Sequence, residues 1–154
     1  MKGIQLENEI KTYNVTPKNW GNVIGGFNYL SDSDLEGYGF YDIVTPTITA
    51  SQELGAIEWD ADNSVFTFPV QSKTFTQTVA ELKTQKIENL KHSYSRELAK
   101  TDWYVIRAQE GISIPQAITD ARTGLRSDCA TKETEINALS TKAQIADYSL
   151  PNFL

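Results

Sequence analysis

The rhythm of hydrophobic positions divides the chain near residue 74. From Thr74 to about Lys100 there is neither glycine nor proline, and Val79, Leu82, Ile87, Leu90, Tyr94 and Leu98 recur mostly at three- and four-residue steps. That spacing places the apolar side chains on one stripe of a helix. Lys83, Lys86, Glu88, Lys91, Arg96 and Glu97 occupy much of the remaining circumference. Thr74-x-x-Gln77 and Thr78-x-x-Glu81 both have the form of a capping box, which satisfies the first free backbone N–H groups of a helix. Thr101 or Asp102 opens a short helix running from Trp103 to Glu110 and closed by Gly111. Ser113-Ile114-Pro115 starts another, because proline suits a first helical turn. Ile118, Ala121, Leu125 and Cys129 follow at helical spacing, and Ile136 and Leu139 extend or restart it. The short connection predicts two antiparallel helices.

Before residue 74 the rhythm is different. Seven of the nine glycines lie there, with Asn19-Trp20-Gly21-Asn22 and Gly25-Gly26 as loop punctuation, so turns and short strands are expected. Ser31 and Ser33 flank the start of an acidic run, Asp32, Asp34 and Glu36, that predicts one helical turn ending at Gly37. Phe40-Tyr41-Asp42-Ile43-Val44 is rich in aromatic and β-branched residues and predicts a strand. Gly55 to Trp59 alternates apolar with polar, Asp60-Ala61-Asp62-Asn63 supplies turn chemistry, and Val65 to Phe68 returns as a second strand. The expectation is therefore an α+β protein: a small antiparallel β N-terminal part, then an antiparallel helical hairpin with a short connecting helix. Four segments are predicted: a loop-rich docking segment over 1–36, a β domain with its hairpin over 37–73, the helical hairpin over 74–146 and a C-terminal tail over 147–154.

Charge sharpens this division. Residues 1–75 hold four lysines against ten acids, and residues 76–154 hold ten basic residues against ten acids, so the whole net charge of -6 sits in the first half. An acidic half without a basic stripe is a poor match for nucleic-acid phosphate or anionic lipid. No apolar stretch approaches the roughly 20 residues that span a bilayer, and the first fifteen residues lack a signal-peptide core. A chain outside the membrane and free of nucleic acid is expected. Its single cysteine, Cys129, fits synthesis in a reducing cytoplasm.

Catalytic chemistry finds few candidates. His92 is the only histidine and lies mid-helix among Lys91, Ser93 and Arg96, without an evident nucleophile and orienting acid. Cys129 falls on an apolar stripe, where it acts as a small hydrophobe. Two Cys or His residues are too few for a zinc site, and Asp60–Asn63 lacks the glycine and distal glutamate of a calcium loop. No phosphate-cradling glycine motif or nucleophile elbow occurs. The reading is of a chain that is not an enzyme and uses no cofactor or metal. Trp20, Phe27 and Tyr29, crowded into a Gly/Asn-rich stretch, serve either as core or as partner contacts or a sugar platform.

Several stretches then carry a resemblance: Gly39 to Pro46, Gln52-Glu53-Leu54-Gly55, Phe68 to Thr74, and above all Thr101-Asp102-Trp103-Tyr104-Val105-Ile106-Arg107-Ala108-Gln109-Glu110, followed by Ile114-Pro115 and Arg122, Leu125 and Arg126. Over about residues 37–127 the chain resembles small phage tail proteins of the tail-assembly-chaperone-like or tail-fibre accessory kind. Ala121-Arg122 departs from that pattern, which has Tyr-Arg there. The resemblance implies a structural or attachment protein of a bacteriophage tail, made in the host cytoplasm and carried in the virion. Its expected partners are tail-fibre or baseplate proteins of the same phage, with self-association left open. A cytoplasmic tail-fibre assembly chaperone is the alternative, and a carbohydrate-binding module is the second. Trp103 and Ile106 lie three apart, so they are expected to wedge the connecting helix against both long helices, with Arg107 and Glu110 pairing or capping there.

Overall fold

The structure is a computed structural model that describes residues 1–7 and 9–153. It divides between Lys73 and Thr74 into two units. The sequence pattern places the start of the helical part at the same residue.

In the first unit, β1 (Lys2–Leu6) and β2 (Glu9–Tyr13) form an antiparallel hairpin. Leu6 pairs with Glu9, and Glu7 takes the left-handed φ of 40° between them. β1 also pairs antiparallel with β3 (Tyr41–Val44), placing it inside the sheet. Beyond β3 comes β6 (Val65–Thr67), and β5 (Glu58–Asp60) closes the far edge, giving the order β2-β1-β3-β6-β5. A separate two-stranded sheet joins β4 (Gln52–Leu54) to β7 (Val70–Ser72). The expected hairpin is present as β5–β6, and its turn is held by Asp60. One carboxylate oxygen accepts from the N–H groups of Asp62 and Asn63 at 3.0 and 3.2 Å, and the other accepts from the Asn63 amide at 2.8 Å. Those donors, the Asn63 side chain first, hold the Asp60 carboxyl below its ordinary range.

Two expectations for this unit change. Residues 1–36 are not a loop-rich appendage: they supply two strands of the five-stranded sheet and three of the four residues buried in its core cluster, although Asn8 lies outside the described residues. Ile4, Phe27, Leu35 and Phe40 are buried together, with Leu6, Tyr13, Trp20, Val23 and Leu30 packed against them. Ile4 and Leu6 face one way because they are two apart on a strand. The 3-10 turn at Phe27–Tyr29 and the helix α1 (Asp32–Gly37) bring Phe27 and Leu35 onto that face. Ser31 caps α1 by accepting the Asp34 N–H. The sheet is also not wholly antiparallel, since β3 and β6 run parallel. Residues 45–64 lie between them and form the long crossover that a parallel pair needs.

In the second unit, α2 (Val79–Ala99) begins at Thr78, whose hydroxyl accepts the Glu81 N–H while the Glu81 carboxylate accepts the Thr78 N–H. α3 (Asp102–Ala108) is the short connecting helix, and α4 (Gln116–Ala138) starts directly after Pro115 and runs without a break past Ile136. Lys91 pairs with Glu133, and Lys83 donates to the Asn137 carbonyl, so α2 and α4 are antiparallel. Leu90, Tyr94 and Ile136 form the core, joined by Ile87, Leu125 and Cys129.

A further helix, α5 (Lys142–Asp147), and the chain after it complete this core. Thr141 and Gln144 make a second capping box, and Ile145 is buried. Tyr148, Leu150 and Phe153 pack on the hairpin, the Phe153 ring standing edge-on to Tyr94 at 5.0 Å. The expected C-terminal tail is thus a packed strap as far as Phe153; Leu154 lies outside the described residues. Two lysines tie off carbonyls that a helix end leaves free: Lys83 that of Asn137 at 2.7 Å, and Lys86 that of Ala146 at 3.1 Å.

Candidate protein interaction surfaces

The corner between α2 and α3 is built around Arg122. The position falls on the stripe of α4 that continues through Leu125 and Cys129, so the side chain points inward and only 7 % of the residue is exposed. A guanidinium buried there needs acceptors, and it has three. One nitrogen donates to the Leu98 carbonyl at 2.8 Å and to the Thr101 hydroxyl at 2.6 Å, and the other donates to the Asp102 carboxylate at 2.9 Å. The Thr101 hydroxyl in turn donates to Leu98 at 3.0 Å. One side chain of α4 therefore satisfies a carbonyl at the end of α2 and grips the start of α3.

This arrangement overturns the expected aromatic wedge. α3 buries none of its residues: Trp103 is 46 % exposed and Ile106 62 %. Its inward side is Tyr104 and Ala108, both half-buried and one helical turn apart. Trp103 lies against the Tyr104 ring at 3.7 Å between centroids, with the Arg107 guanidinium over it at 5.4 Å. Arg107 thus serves a cation–π contact. Glu110 is exposed beyond the end of the helix, its N–H bonded to the Arg107 carbonyl. The bend is filled by hydrogen-bonded polar groups, and Trp103 and Ile106 face outward. With Val105 and Ile112, also exposed, they place four large apolar side chains along one short segment.

The expected partner contacts of the first unit separate. Phe27 is fully buried, and Trp20 packs beside it and Phe40, at 6.2 and 4.8 Å between ring centroids. Both are core. Only Tyr29 is outside, 84 % exposed. Another aromatic group does not emerge from the sequence pattern. Tyr41, Trp59 and Phe66 come together on the opposite face of the sheet, with Trp59 4.6 Å from Tyr41 and 5.1 Å from Phe66. With Gln5 and Gly39 they line a groove of about 380 Å³ that contains no charged side chain. The available signal is the Ile57-Glu58-Trp59 alternation, which makes Trp59 a strand residue without saying which strands flank it.

The remaining candidates carry no assembled chemistry. His92 is exposed on α2. Cys129 is half-buried, and burial pushes its thiol up, away from the reactive thiolate. Tyr94 donates to Asp128 and Tyr148 to Glu135; burial first, then these carboxylates, raises both phenols, Tyr148 to about 12. Such pairs hold the strap and the hairpin together. Among the described residues, no three His, Cys, Asp or Glu side chains are grouped to hold a metal ion, and no helix is long and apolar enough to cross a membrane.

Neither a protein-family model, nor a curated protein, nor a solved structure matches the chain. The geometry itself offers two surfaces, the exposed apolar tip of the helical unit and the aromatic groove of the β unit.

Proposed function

We propose that this chain is a non-catalytic component of a bacteriophage tail, binding other proteins of the fibre or baseplate through the tip of its helical hairpin. One observation carries the binding: α3 turns Trp103, Val105 and Ile106 outward, with Ile112 just beyond it, while a polar cluster fills the bend behind them. Exposed aromatic and aliphatic side chains beside an arginine have the composition of a protein-binding hot spot. The tail assignment rests on the resemblance of residues 101–110, 114–115 and 122–126 to small tail proteins.

The test is capture of the phage's fibre and baseplate proteins by the full chain and by Ile106→Lys. Ile106 is exposed, so the substitution should leave the fold intact. We expect at least tenfold weaker capture, and capture unchanged by it would refute the surface. Mass spectrometry of finished particles then separates a virion component, found at fixed stoichiometry, from an assembly chaperone, absent from particles but raising the yield of soluble fibre on co-expression.

The groove between Tyr41 and Trp59 favours a second reading, a carbohydrate-binding module. Aromatic faces stack on the apolar faces of sugar rings, and the Gln5 amide offers donors and an acceptor at the rim. A glycan array probed with the full chain and with Trp59→Ala tests it; binding that the substitution leaves untouched, or no binding at all, removes this reading.

A further inference from the structure

We infer that α3 is a hinged arm, latched to the helical unit by the buried Arg122 guanidinium, and that the latch sets how the apolar tip is presented. The inference deepens the docking reading, on which its use depends, but the latch itself can be tested without a partner.

A helix of seven residues does not hold its shape alone in water, because helices below about 12–15 residues are marginal. It must be held by the rest of the unit. Apolar packing supplies little of that hold, since α3 contains no buried residue and only Tyr104 and Ala108 are half-covered. What remains is polar and concentrated at one end. Arg122 grips Thr101 and Asp102 at the start of α3 and the Leu98 carbonyl just before it. At the far end the chain leaves α3 through Gly111, at a φ of 84° that only glycine adopts freely. A polar clasp at one end, a glycine at the other and thin packing between them are the parts of an arm that can swing.

The clasp also gives the arm a defined closed position. The three acceptors of Arg122 come from α2, from the α2–α3 joint and from α3 itself, so its bonds form together only when α3 is docked. Segments with few buried contacts open first in native proteins. A partner that binds Trp103 and Ile106 therefore meets an arm whose orientation depends on the latch, and binding selects among its positions.

Hydrogen exchange followed by mass spectrometry on the full chain, without partner, tests this. In the wild type, the amides of residues 102–108 should exchange at least tenfold faster than those around Leu90 and Tyr94. Arg122→Met keeps the apolar stem of the side chain and removes the clasp. It should speed exchange of 102–108 at least a further tenfold and leave the centre of α2 unchanged. Asp102→Asn acts from the exposed end of the latch and should produce a smaller acceleration confined to the same segment; it decides the question if Arg122→Met fails to fold. Exchange of α3 as slow as the centre of α2, or α3 exchange unaltered in a folded latch variant, would overturn the inference. A chain that passes this test but fails the capture test with Ile106→Lys would have a working latch and a different docking surface.

Discussion

Phe27→Ala distinguishes a core residue from a partner contact more sharply than any other substitution in the first unit. Phe27 is fully buried and its ring meets Phe40 at 5.2 Å, Tyr38 at 5.3 Å and Trp20 at 6.2 Å between centroids. Truncation removes apolar burial and three aromatic contacts and leaves a cavity, which in well-packed cores costs about 3–5 kcal/mol. A unit spanning Met1–Lys73 has a total stability of about 4–11 kcal/mol at the usual 0.05–0.15 kcal/mol per residue. The substitution should therefore consume between a quarter and all of it. Urea unfolding is the assay, followed by tryptophan fluorescence, because Trp20 sits in the same cluster. At a slope of about 1–3 kcal/mol per molar urea, the midpoint of this unit should fall by at least about 1 M. Tyr29→Ala, two residues away but 84 % exposed, is the control and should stay within about 0.5 kcal/mol of the wild type. An unchanged midpoint for Phe27→Ala with loss of partner capture would refute the packing argument and restore Phe27 as a contact residue.

Other outcomes follow from the same packing. Gly3→Ala places a Cβ 2.7 Å from the Phe66 ring, so overpacking should cost about 1–3 kcal/mol and lower the melting temperature; an unchanged thermal midpoint would mean that Phe66 moves aside freely. Thr78→Ala removes the hydroxyl that caps α2 and should cost about 0.5–2 kcal/mol in denaturant unfolding of the helical unit, with Thr74→Ala near zero because Thr74 does not cap it. The Tyr94 and Tyr148 phenols are raised in the folded protein, so the neutral forms are favoured by folding. Their contribution is complete below the ordinary phenol pKa of about 10 and is lost as pH rises through the folded values. Helical stability should fall steeply between about pH 10 and 12, and Tyr148→Phe should flatten that fall; an identical alkaline profile in the variant would count against the Glu135 pair.

Elements encoded by a strong local pattern are legible in the sequence alone. Val79 to Leu98 recur at the helical period, Thr78 and Glu81 stand at capping-box spacing, and Asp60 to Asn63 separate two β-prone runs; α2 and the β5–β6 hairpin form where those signals lie. Weaker local signals mark other elements. Ile4 and Leu6 alternate on β1, and Thr141-x-x-Gln144 repeats the box that marks α2. These elements are short, five or six residues, so each shows less than two full helical periods or a brief alternation and stands out little from loop.

The candidate site is less legible because it depends on what lies opposite. The spacing of Trp103 and Ile106 places them near each other on α3, but nothing in seven residues says whether that side meets α4 or water. Arg122 decides it. Lying on the inward stripe of α4, it brings a charge into the bend, and a buried guanidinium is stable only where acceptors surround it. The Leu98 carbonyl, Thr101 and Asp102 supply them, and Trp103 and Ile106 are left on the outside. By the same logic Phe27 and Trp20 become core once β1 pairs with β3 and carries β2 into the sheet. Periodicity along the chain determined which residues share a face; only contacts between residues far apart in sequence decided which faces were covered, because burial belongs to the pair of surfaces that meet and not to either segment alone.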